Sequence, residues 1–243
     1  MNKNNRFLSG YKIGLSVAAI MMLIASFATL AMPAVTAAND MQKAQGIVDK
    51  ARVTFQNFMN DSNFTWIHQN MDRARGILIY PQVLKGGFIF GASGGTGVLV
   101  VREERTGSWS EPAFYTIGSV TFGLQIGGEA AEVIVVAMTQ KAIDSLLSSS
   151  FKLGGDTSVA LGPVGAGAKA SMDLPSVTAD FVSFARSKGL YGGLNLEGAV
   201  VAVRDSLNKA YYVKHVVPAD IVVKHNVTNP RAAQLQQSLK CKC

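Results

Sequence analysis

Glycine is concentrated in the middle of the chain, and this distribution constrains the fold more than any other feature. Of the 24 glycines, 21 lie between Gly76 and Gly198, and none follows Gly198. Short apolar runs stand between them, such as Val98–Val101 and Gly76–Tyr80, which we expect to end at Pro81. Parallel strands would need a helix after nearly every strand, so the pattern predicts an antiparallel sheet or a barrel. The chain has no fixed-period repeat or low-complexity linker, and we predict a single domain.

Helices are predicted on both sides of this β core. Apolar residues at three- and four-residue steps predict an amphipathic helix over Asp40–Asn60. The apolar stripe of this helix consists of Ala44, Ile47, Val48, Ala51, Phe55, Phe58 and Met59. Thr139 is predicted to cap a helix over Gln140–Ser149. Asp205 is predicted to cap another over Ser206–Tyr212. The predicted fold class is therefore α+β, a β-rich antiparallel sheet or barrel with N- and C-terminal helices.

The N-terminal segment is predicted to be a secretory signal peptide. Residues 1–12 are polar and basic, Ile13–Ala31 is an uncharged apolar run, and Pro33 precedes small residues that end at Ala37. A basic start, an apolar middle and small residues at a cleavage site are typical of such a signal, with cleavage expected after Ala37. An uncleaved anchor is the alternative, since the apolar run is long enough to span a bilayer. The expected mature chain covers residues 38–243, with its β core over residues 76–203, and is located in the periplasm or cell envelope.

The charge distribution argues against nucleic acid as a partner. The formal net charge is +7, and residues 1–37 contribute three basic side chains and no acidic one. The remaining charge of +4 comes from interspersed basic and acidic side chains. Domains that bind DNA or RNA concentrate positive charge on one face or stripe. We therefore expect no nucleic-acid binding.

One hydrolase-like motif is present, but its context does not suit catalysis. Gly91–Gly95 matches the pattern G-x-S-x-G, with Ser93 as the candidate nucleophile. That motif presents a reactive hydroxyl where a strand turns into a helix, whereas here the chain continues into the strand Val98–Val101. Glu129 and Glu132 are the closest acids on an apolar segment, and we expect them to be solvated or singly paired. A serine hydrolase centred on Ser93 is the catalytic alternative.

No sequence pattern indicates a cofactor or a metal. Gly162–Lys169 is similar to a phosphate-binding loop, but Ala168 separates the last glycine from the lysine. The three histidines and two cysteines fit no metal-ligand spacing. Cys241 and Cys243 allow a disulfide-linked dimer in an oxidising compartment, and two solvated thiols are the alternative. We therefore predict no cofactor.

Two long stretches resemble a known family. One runs from Ala74 through Lys85–Gly91 to Val100, and the other is Phe181–Gly198. Both are similar to the SYLF lipid-binding domain, and Phe122–Gly128 also fits it. This family includes yeast actin-patch proteins, SH3-linked phosphoinositide binders and many exported bacterial proteins. The resemblance implies a compact β-rich domain with helical flanks that binds phospholipid without established catalysis, here in an exported bacterial member.

The resemblance also implies where lipid would bind. In eukaryotic members an N-terminal amphipathic helix and basic residues are linked to membrane binding, and Asp40–Asn60 corresponds to that helix. The candidate lipid-binding residues are Lys43, Lys50, Arg52, Lys85, Arg102, Arg186 and Lys188. If the two signature stretches adjoin in the sheet, the last four form one cationic patch near the helix, and acyl chains lie along its apolar stripe.

Two other interpretations of these residues are open at the level of sequence. In one, the helix stripe packs on its own sheet, as most amphipathic helices do. In the other, the charges are scattered and solvated, and Arg186 pairs with Asp180 or Glu197. The predicted function is that of an exported, envelope-associated, non-catalytic protein whose partner is anionic phospholipid or a membrane surface. An exported protein would not meet actin, so actin is not an expected partner. A structural or stress-related envelope protein is a further alternative.

Overall fold

The computed structural model describes residues 38–87, 90–122, 127–165, 178–187, 190–192 and 196–240. The α-helices in these ranges are α1 (38–59), α2 (Thr65–Asn70), α3 (Gln140–Leu146), α4 (Asp205–Tyr212), α5 (Pro218–Val222) and α6 (Ala233–Lys240). Short 3₁₀ helices cover Ser62–Phe64, Met71–Arg73 and Pro230–Ala232. The strands are β1 (Gly76–Gly87), β2 (Phe90–Val101), β3 (Ala113–Phe122), β4 (Gly127–Ala137), β5 (Ser150–Lys152), β6 (Val159–Leu161), β7 (Phe181–Ser187), β8 (Leu190–Gly192) and β9 (Val200–Val203). The expected signal peptide, Lys188, Cys241 and Cys243 lie outside the described residues.

The nine strands of the described ranges belong to one sheet. Its order is β5-β9-β3-β2-β1-β4-β7-β6, and β8 pairs with β7. The pairs are antiparallel except for β6 and β7, which run parallel. The predicted α+β class, a largely antiparallel sheet with helices before and after it, is confirmed. The sequence left a sheet and a barrel as alternatives. The described strands form a sheet, and its path ends at β5 and β6.

Strand β1 is longer than its sequence suggests. The prediction that it ends at Pro81 is wrong, since the strand continues to Gly87. The register with both neighbouring strands shifts between Tyr80 and Val83, which marks a bulge. Proline lacks the N–H that a regular ladder requires, and a bulge relieves that requirement inside a sheet. Beside the bulge, β2 approaches so closely that a Cβ at Gly97 would lie 2.6 Å from the ring of Tyr80.

The sheet has an apolar core on each face. One core joins the sheet to α1, α2, α4 and α6. The other joins the opposite face to α3 and α5. The face beneath α1, called here the α1 face, contains the large aliphatic residues Ile77, Ile79, Val98 and Val100. The domain is therefore a sheet with helices on both sides, and its N-terminal helix is part of the core.

The apolar stripe of α1 is buried against this sheet. Ala44, Val48 and Ala51 are almost inaccessible to solvent. Phe55 and Phe58 are equally buried, and burial of an aromatic side chain of this size contributes about 2–3 kcal/mol each. The expectation that acyl chains lie along this stripe is therefore wrong, because the stripe already packs on the protein's own core.

A capping residue was predicted for two of the helices, and the structure shows it for one of them. Thr139 caps α3 as predicted, because its Oγ1 accepts a hydrogen bond from the backbone N–H of Ala142 at 3.1 Å. The helix ends at Leu146, earlier than predicted. The prediction for α4 is wrong, since Asp205 is its first helical residue and Arg204 precedes it without a side-chain cap. A carboxylate in the first turn still stabilises the N-terminal end of the helix dipole.

Candidate functional site

The α1 face of the sheet extends beyond the helix that covers it. Val100 on β2 and Val136 on β4 are buried under the helices. Gly94 and Ala130 precede them by an even number of positions on uninterrupted strands, so they lie on the same face. Leu84 of β1 pairs with both Gly94 and Ala130. The α1 face therefore has an inner half under helices and an outer half beyond the β1 bulge.

The outer half consists of two rows of small or aliphatic residues. One row across the sheet is Val200, Gly118, Gly94, Leu84 and Ala130, and the next is Val120, Ala92, Gly86 and Gly128. We call these two rows the apolar face. Val120 is 70% exposed, Leu84 56% and Val200 46%. Neither row contains a polar side chain, and a contiguous exposed apolar area of this kind marks an interaction site.

The opposite side of the same strands is polar. Lys85 pairs with Ser93 on β2 and Glu129 on β4. Ser93 in turn pairs with Ser119 on β3, and their Oγ atoms lie 2.7 Å apart in a hydrogen bond. Because successive residues of a strand point to opposite faces, the outer half of the sheet is amphipathic. Lys85 therefore projects away from the apolar face.

A groove of about 540 Å³ lies between α1 and the inner edge of the apolar face. Its walls are Lys50, Val53 and Thr54 from α1, Pro81 and Gln82 from the bulge, Ala130 to Glu132 from β4, and Arg186 and Ser187 from β7. Ala130 belongs to both the groove and the apolar face. Val53 is exposed as well, so the apolar surface continues from the sheet onto the helix.

A network of charged and polar side chains forms the floor of this groove. Arg186 Nη1 donates to Glu132 Oε2 at 2.8 Å, and Arg186 Nε lies 3.6 Å from Asp61 Oδ2. Glu132 Oε1 also accepts hydrogen bonds from Thr54 Oγ1 at 2.9 Å and Asn57 Nδ2 at 3.0 Å. The alternative in which Arg186 pairs with Asp180 or Glu197 is correct in giving Arg186 an acidic partner but wrong about which one, since the partners are Glu132 and Asp61. Glu132 is bonded several times over, contrary to the expectation of a solvated or singly paired carboxylate.

Lys50 is the other cation of the groove. It is exposed and forms no ion pair with another described residue. Lys43 is exposed two turns earlier on the same helix, while Arg52 is half-buried and donates to Gln56 Oε1 at 3.1 Å. Lys50 therefore supplies the uncompensated charge of the groove, and Lys43 continues it along α1.

The structure divides the predicted cationic patch. Lys50 and Arg186 lie in one groove, whereas Lys85 lies on the polar side of the sheet. Arg102 follows β2 at the end that pairs with the beginning of β1, and it donates to the carbonyl oxygen of Asp72 at 2.7 Å. It therefore belongs to the opposite end of the sheet. Lys188, the fourth expected member, is outside the described residues.

Asp180 fixes the beginning of β7, the strand that carries Arg186. Its carboxylate accepts hydrogen bonds from Thr139 Oγ1 at 2.7 Å and from the backbone N–H and Oγ of Ser158, both at 2.9 Å. Lys141 Nζ lies 3.3 Å away. Burial alone would raise the pKa of Asp180, but these donors outweigh it and lower the pKa to about 2. Asp180 therefore anchors the sheet and takes no part in the groove.

The geometry gives no support to catalysis at Ser93. The segment Gly91–Gly95 belongs to β2 itself and is not a connection before the strand, and the Ser93 hydroxyl is bonded to Ser119. A nucleophile elbow needs a strand-to-helix turn. Within the part of the chain that the structure describes, no group of three or more histidine, cysteine or acidic side chains is arranged to hold a metal ion. No described helix is both long and apolar enough to cross a membrane.

The sequence interpretation missed the apolar face. Leu84, Val120 and Val200 were not among the candidate residues, because the strands were identified only as short apolar runs between glycines. The available signal was alternation: Leu84 is followed by Lys85, and Val120 is preceded by Ser119. A period of two marks a strand with one apolar and one polar side.

Comparison with known proteins identifies the family. A family model described as Ysc84, Las17-binding protein actin regulator, matches residues 118–241. The chain is 31% identical over 165 residues to human SH3 domain-containing YSC84-like protein 1, covering 68% of this chain and 46% of the human protein. The bovine protein of the same name is 29% identical over 163 residues, covering 67% of this chain and 47% of that protein. LAS seventeen-binding protein 3 of Saccharomyces cerevisiae is 34% identical over 145 residues, covering 58% and 31%.

The chain spans about half the length of these animal relatives and less of the yeast protein. The family and the yeast relative are named for binding or regulation, not for a reaction. The matched span includes Val120, Ala130, Glu132, Arg186 and Val200, and so takes in much of the apolar face and the floor of the groove. Together with the confirmed fold, these matches show that the chain belongs to the Ysc84 family, whose domain is the SYLF domain.

Proposed function

We propose that this protein binds anionic phospholipid at a membrane surface without catalysis, with the apolar face against the bilayer. The observation that carries this proposal is the amphipathic outer half of the sheet. Val120, Leu84 and Val200 are exposed on one side, while the other side presents Lys85 and Ser119. Removing apolar surface from water is favourable by about 25 cal/mol per Å², so this face gains free energy when a partner covers it.

The composition of the apolar face favours lipid over a protein partner. Protein interfaces draw most of their binding energy from buried aromatic and arginine anchors. The two rows consist of glycine, alanine, valine and leucine, so they supply neither kind of anchor, and their glycines separate the exposed side chains of Leu84, Val120 and Val200. A fluid apolar phase requires no complementary pockets, and such a smooth surface suits it.

Charge at the edge of this face supports an anionic bilayer. Lys50 and Lys43 are exposed on α1, and each basic residue near an anionic membrane contributes about 1 kcal/mol of binding. Arg186 contributes less, because Glu132 and Asp61 already compensate its charge. In this arrangement Lys50 contacts headgroups while Val53 and Leu84 approach the boundary with the acyl chains.

Vesicle sedimentation with a pair of matched variants tests the proposal. Val120→Asp places a charge on the apolar face, and Val213→Asp places the same charge on a residue that is 77% exposed at the end of α4. A buried carboxylate loses its hydration, so we expect Val120→Asp to lower binding to phosphatidylglycerol vesicles about tenfold or more. Val213→Asp should bind as the wild type does.

Two outcomes would contradict the proposal. If the wild type does not sediment with anionic vesicles at low salt, phospholipid binding is wrong. If both variants bind as the wild type does and remain folded by circular dichroism, binding does not use the apolar face.

Export to the periplasm or cell envelope is part of the proposal. It is supported by the basic start, the apolar run and the small residues of residues 1–37. Intact-mass measurement of protein isolated from its native cells tests it, and we expect a chain that begins at Ala38. A mass that includes the apolar run would mean a retained anchor.

The family description favours actin regulation as a second candidate function. Co-sedimentation of the chain with filamentous actin distinguishes the two. Because an exported protein would not meet actin, we expect the chain to remain in the supernatant, and pelleting with filaments would support the second candidate.

A further inference from the structure

Two adjoining pockets lie at the end of the sheet opposite the apolar face. The inner pocket has a volume of about 220 Å³ and the outer one about 330 Å³. Both are lined by Asp72, Arg102 and Gly107. The inner pocket reaches from Arg102 to α1 and to the end of α6 at Leu239. Arg102 therefore stands where the outer pocket opens into the inner one.

The inner pocket has an apolar side. Phe55, Met59 and Leu239 contribute to it, and each is buried in the surrounding core. Trp109 also lines it, and its indole Nε1 donates to the carbonyl oxygen of Leu239 at 3.1 Å. His68 Nε2 is hydrogen-bonded to the carbonyl oxygen of a neighbouring residue on α1 at 3.1 Å. These polar atoms have partners within the protein, and the pocket as a whole combines this apolar side with a polar side formed by Asp72, Arg102 and Lys240.

Arg102 is fixed at the mouth of this pocket. Its Nη1 donates to the carbonyl oxygens of Asp72 at 2.7 Å and of Met71 at 3.4 Å. Among the described residues, none accepts a hydrogen bond from Nε. The Nε and Nη2 side of the guanidinium faces Gly107, where a Cβ would lie 3.9 and 3.6 Å from these atoms. One edge of the guanidinium is thus held by backbone carbonyl oxygens, whereas Nη2 lies 4.0 Å from Asp72 Oδ1 and beside Gly107, where the two pockets meet.

The net charge of the inner pocket favours the binding of a single anion. Arg102 and Lys240 are its cations and Asp72 its carboxylate, which leaves one positive charge. In the outer pocket Arg75 is already paired with Glu104. A carboxylate matches the two parallel N–H donors of an arginine edge.

The size of the pocket limits the ligand. Its volume corresponds to roughly seven water molecules at about 30 Å³ each, so the pocket holds a short hydrocarbon chain and excludes a diacyl lipid. We infer that the Arg102 pocket binds a short-chain monocarboxylate of about six to eight carbons, with the carboxylate on Arg102 and the chain against Trp109. This site is separate from the apolar face and does not depend on phospholipid binding.

Calorimetric titration of the full chain with three small probes tests the ligand class. Octanoate carries both chain and carboxylate, acetate lacks the chain, and octylammonium carries the opposite charge. Each buried methylene contributes about 0.8 kcal/mol, so octanoate should bind at least about tenfold more tightly than acetate. Octylammonium should bind no more tightly than acetate. Equal affinities for octanoate and acetate, or for octanoate and octylammonium, would overturn the assignment.

Two substitutions at Gly107 test the position of the carboxylate. Gly107 has a φ of +68°, and asparagine and aspartate are the residues that best tolerate this conformation. Gly107→Asp places a carboxylate beside Arg102 and should weaken octanoate binding about tenfold. Gly107→Asn has the same shape without the charge and should bind octanoate as the wild type does. Equal octanoate affinities of the two folded variants would show that Arg102 is not the anchor.

Two additional measurements separate this site from the proposed membrane contact. Octanoate should change the fluorescence of Trp109 in a Trp66→Phe background, and an unchanged spectrum at saturating octanoate would contradict the site. Gly107→Asp should sediment with anionic vesicles as the wild type does. If Gly107→Asp loses octanoate and vesicle binding together, the pocket is not a separate site.

Discussion

The inner and outer halves of the α1 face share their strands but differ in side-chain size. Val100 and Val136 in the inner half are buried under helices, whereas none of the described helices covers Gly94 and Ala130 in the outer half. Large aliphatic side chains give a helix a surface on which to bury its own apolar stripe, and a row of glycine and alanine offers little. The position of α1 therefore follows from the residues on the sheet.

The exposed residues of the outer half still follow the alternation of polar and apolar side chains that is typical of a strand. Along β3 the polar Ser119 and the apolar Val120 still alternate, and along β1 Lys85 follows Leu84. The alternation that builds the inner core continues where no helix packs. An exposed apolar surface of this kind is suited to contact with a partner from outside the domain, which agrees with the proposed membrane contact.

The largest expected difference between the two halves is in stability. Phe58 is fully buried, and its ring lies 4.5 Å from that of Phe64, so Phe58→Ala should lower the free energy of unfolding by about 3–5 kcal/mol. Leu84→Ala removes an exposed side chain and should change it by less than about 0.5 kcal/mol. Urea unfolding monitored by circular dichroism measures both. Equal losses would mean that the outer half is as well packed as the inner half.

A smaller effect is expected at Asp180, which secures the strand leading from the inner half to the groove. Its folded pKa of about 2 lies below the value of 3.8 expected without the fold, so its ionised form stabilises the folded state. This contribution, about 2 kcal/mol, is fully present above pH 4 and is lost as the pH falls toward 2. Asp180→Asn should remove most of that pH dependence. If the wild type and Asp180→Asn lose stability in parallel as the pH falls, the pH dependence of stability comes from other carboxylates.

Lys50 should affect vesicle binding more than folding. Lys50→Gln removes one exposed charge beside the apolar face, and about 1 kcal/mol corresponds to roughly fivefold weaker binding to anionic vesicles. Because screening weakens such contacts, the salt dependence of binding should also become shallower. Lys209→Gln on α4 is the matched control, since Lys209 is also exposed but lies outside the groove. If both variants lose binding equally, only the net charge matters.

No effect on vesicle binding is expected from a substitution on the polar side of the outer half. Ser93→Ala removes one hydrogen bond to Ser119, which should cost about 0.5–1.5 kcal/mol of stability and leave vesicle binding unchanged. Labelling of the wild type by a fluorophosphonate probe checks the same residue, and we expect none. A covalent adduct on Ser93 would restore the hydrolase alternative.

The sequence predicted the class of the fold better than the arrangement of its charges. Glycine spacing and the helical stripe at Asp40–Asn60 depend on local periodicity, and both correspond to elements of the structure. The partnership of Arg186 with Glu132 and Asp61 depends on β4 and β7 being neighbours, which follows from the strand order and not from spacing along the chain. The bulge at Pro81 was missed for a similar reason, because only pairing with both neighbouring strands shows that β1 continues.

The strand order has a consequence for how this chain acquires its structure. β3 pairs on one side with β2, but its other neighbour, β9, is synthesised only near the end of the chain. Contacts between residues far apart in sequence close large loops, and proteins rich in them fold slowly. Until β9 is synthesised, the edge of β3 from Tyr115 to Gly118 is unpaired by it, next to the exposed Val120, and an open apolar edge favours association between chains. We therefore expect the yield of refolding to fall steeply as the protein concentration rises, because chains can associate before the last strand and the helices after it are in place.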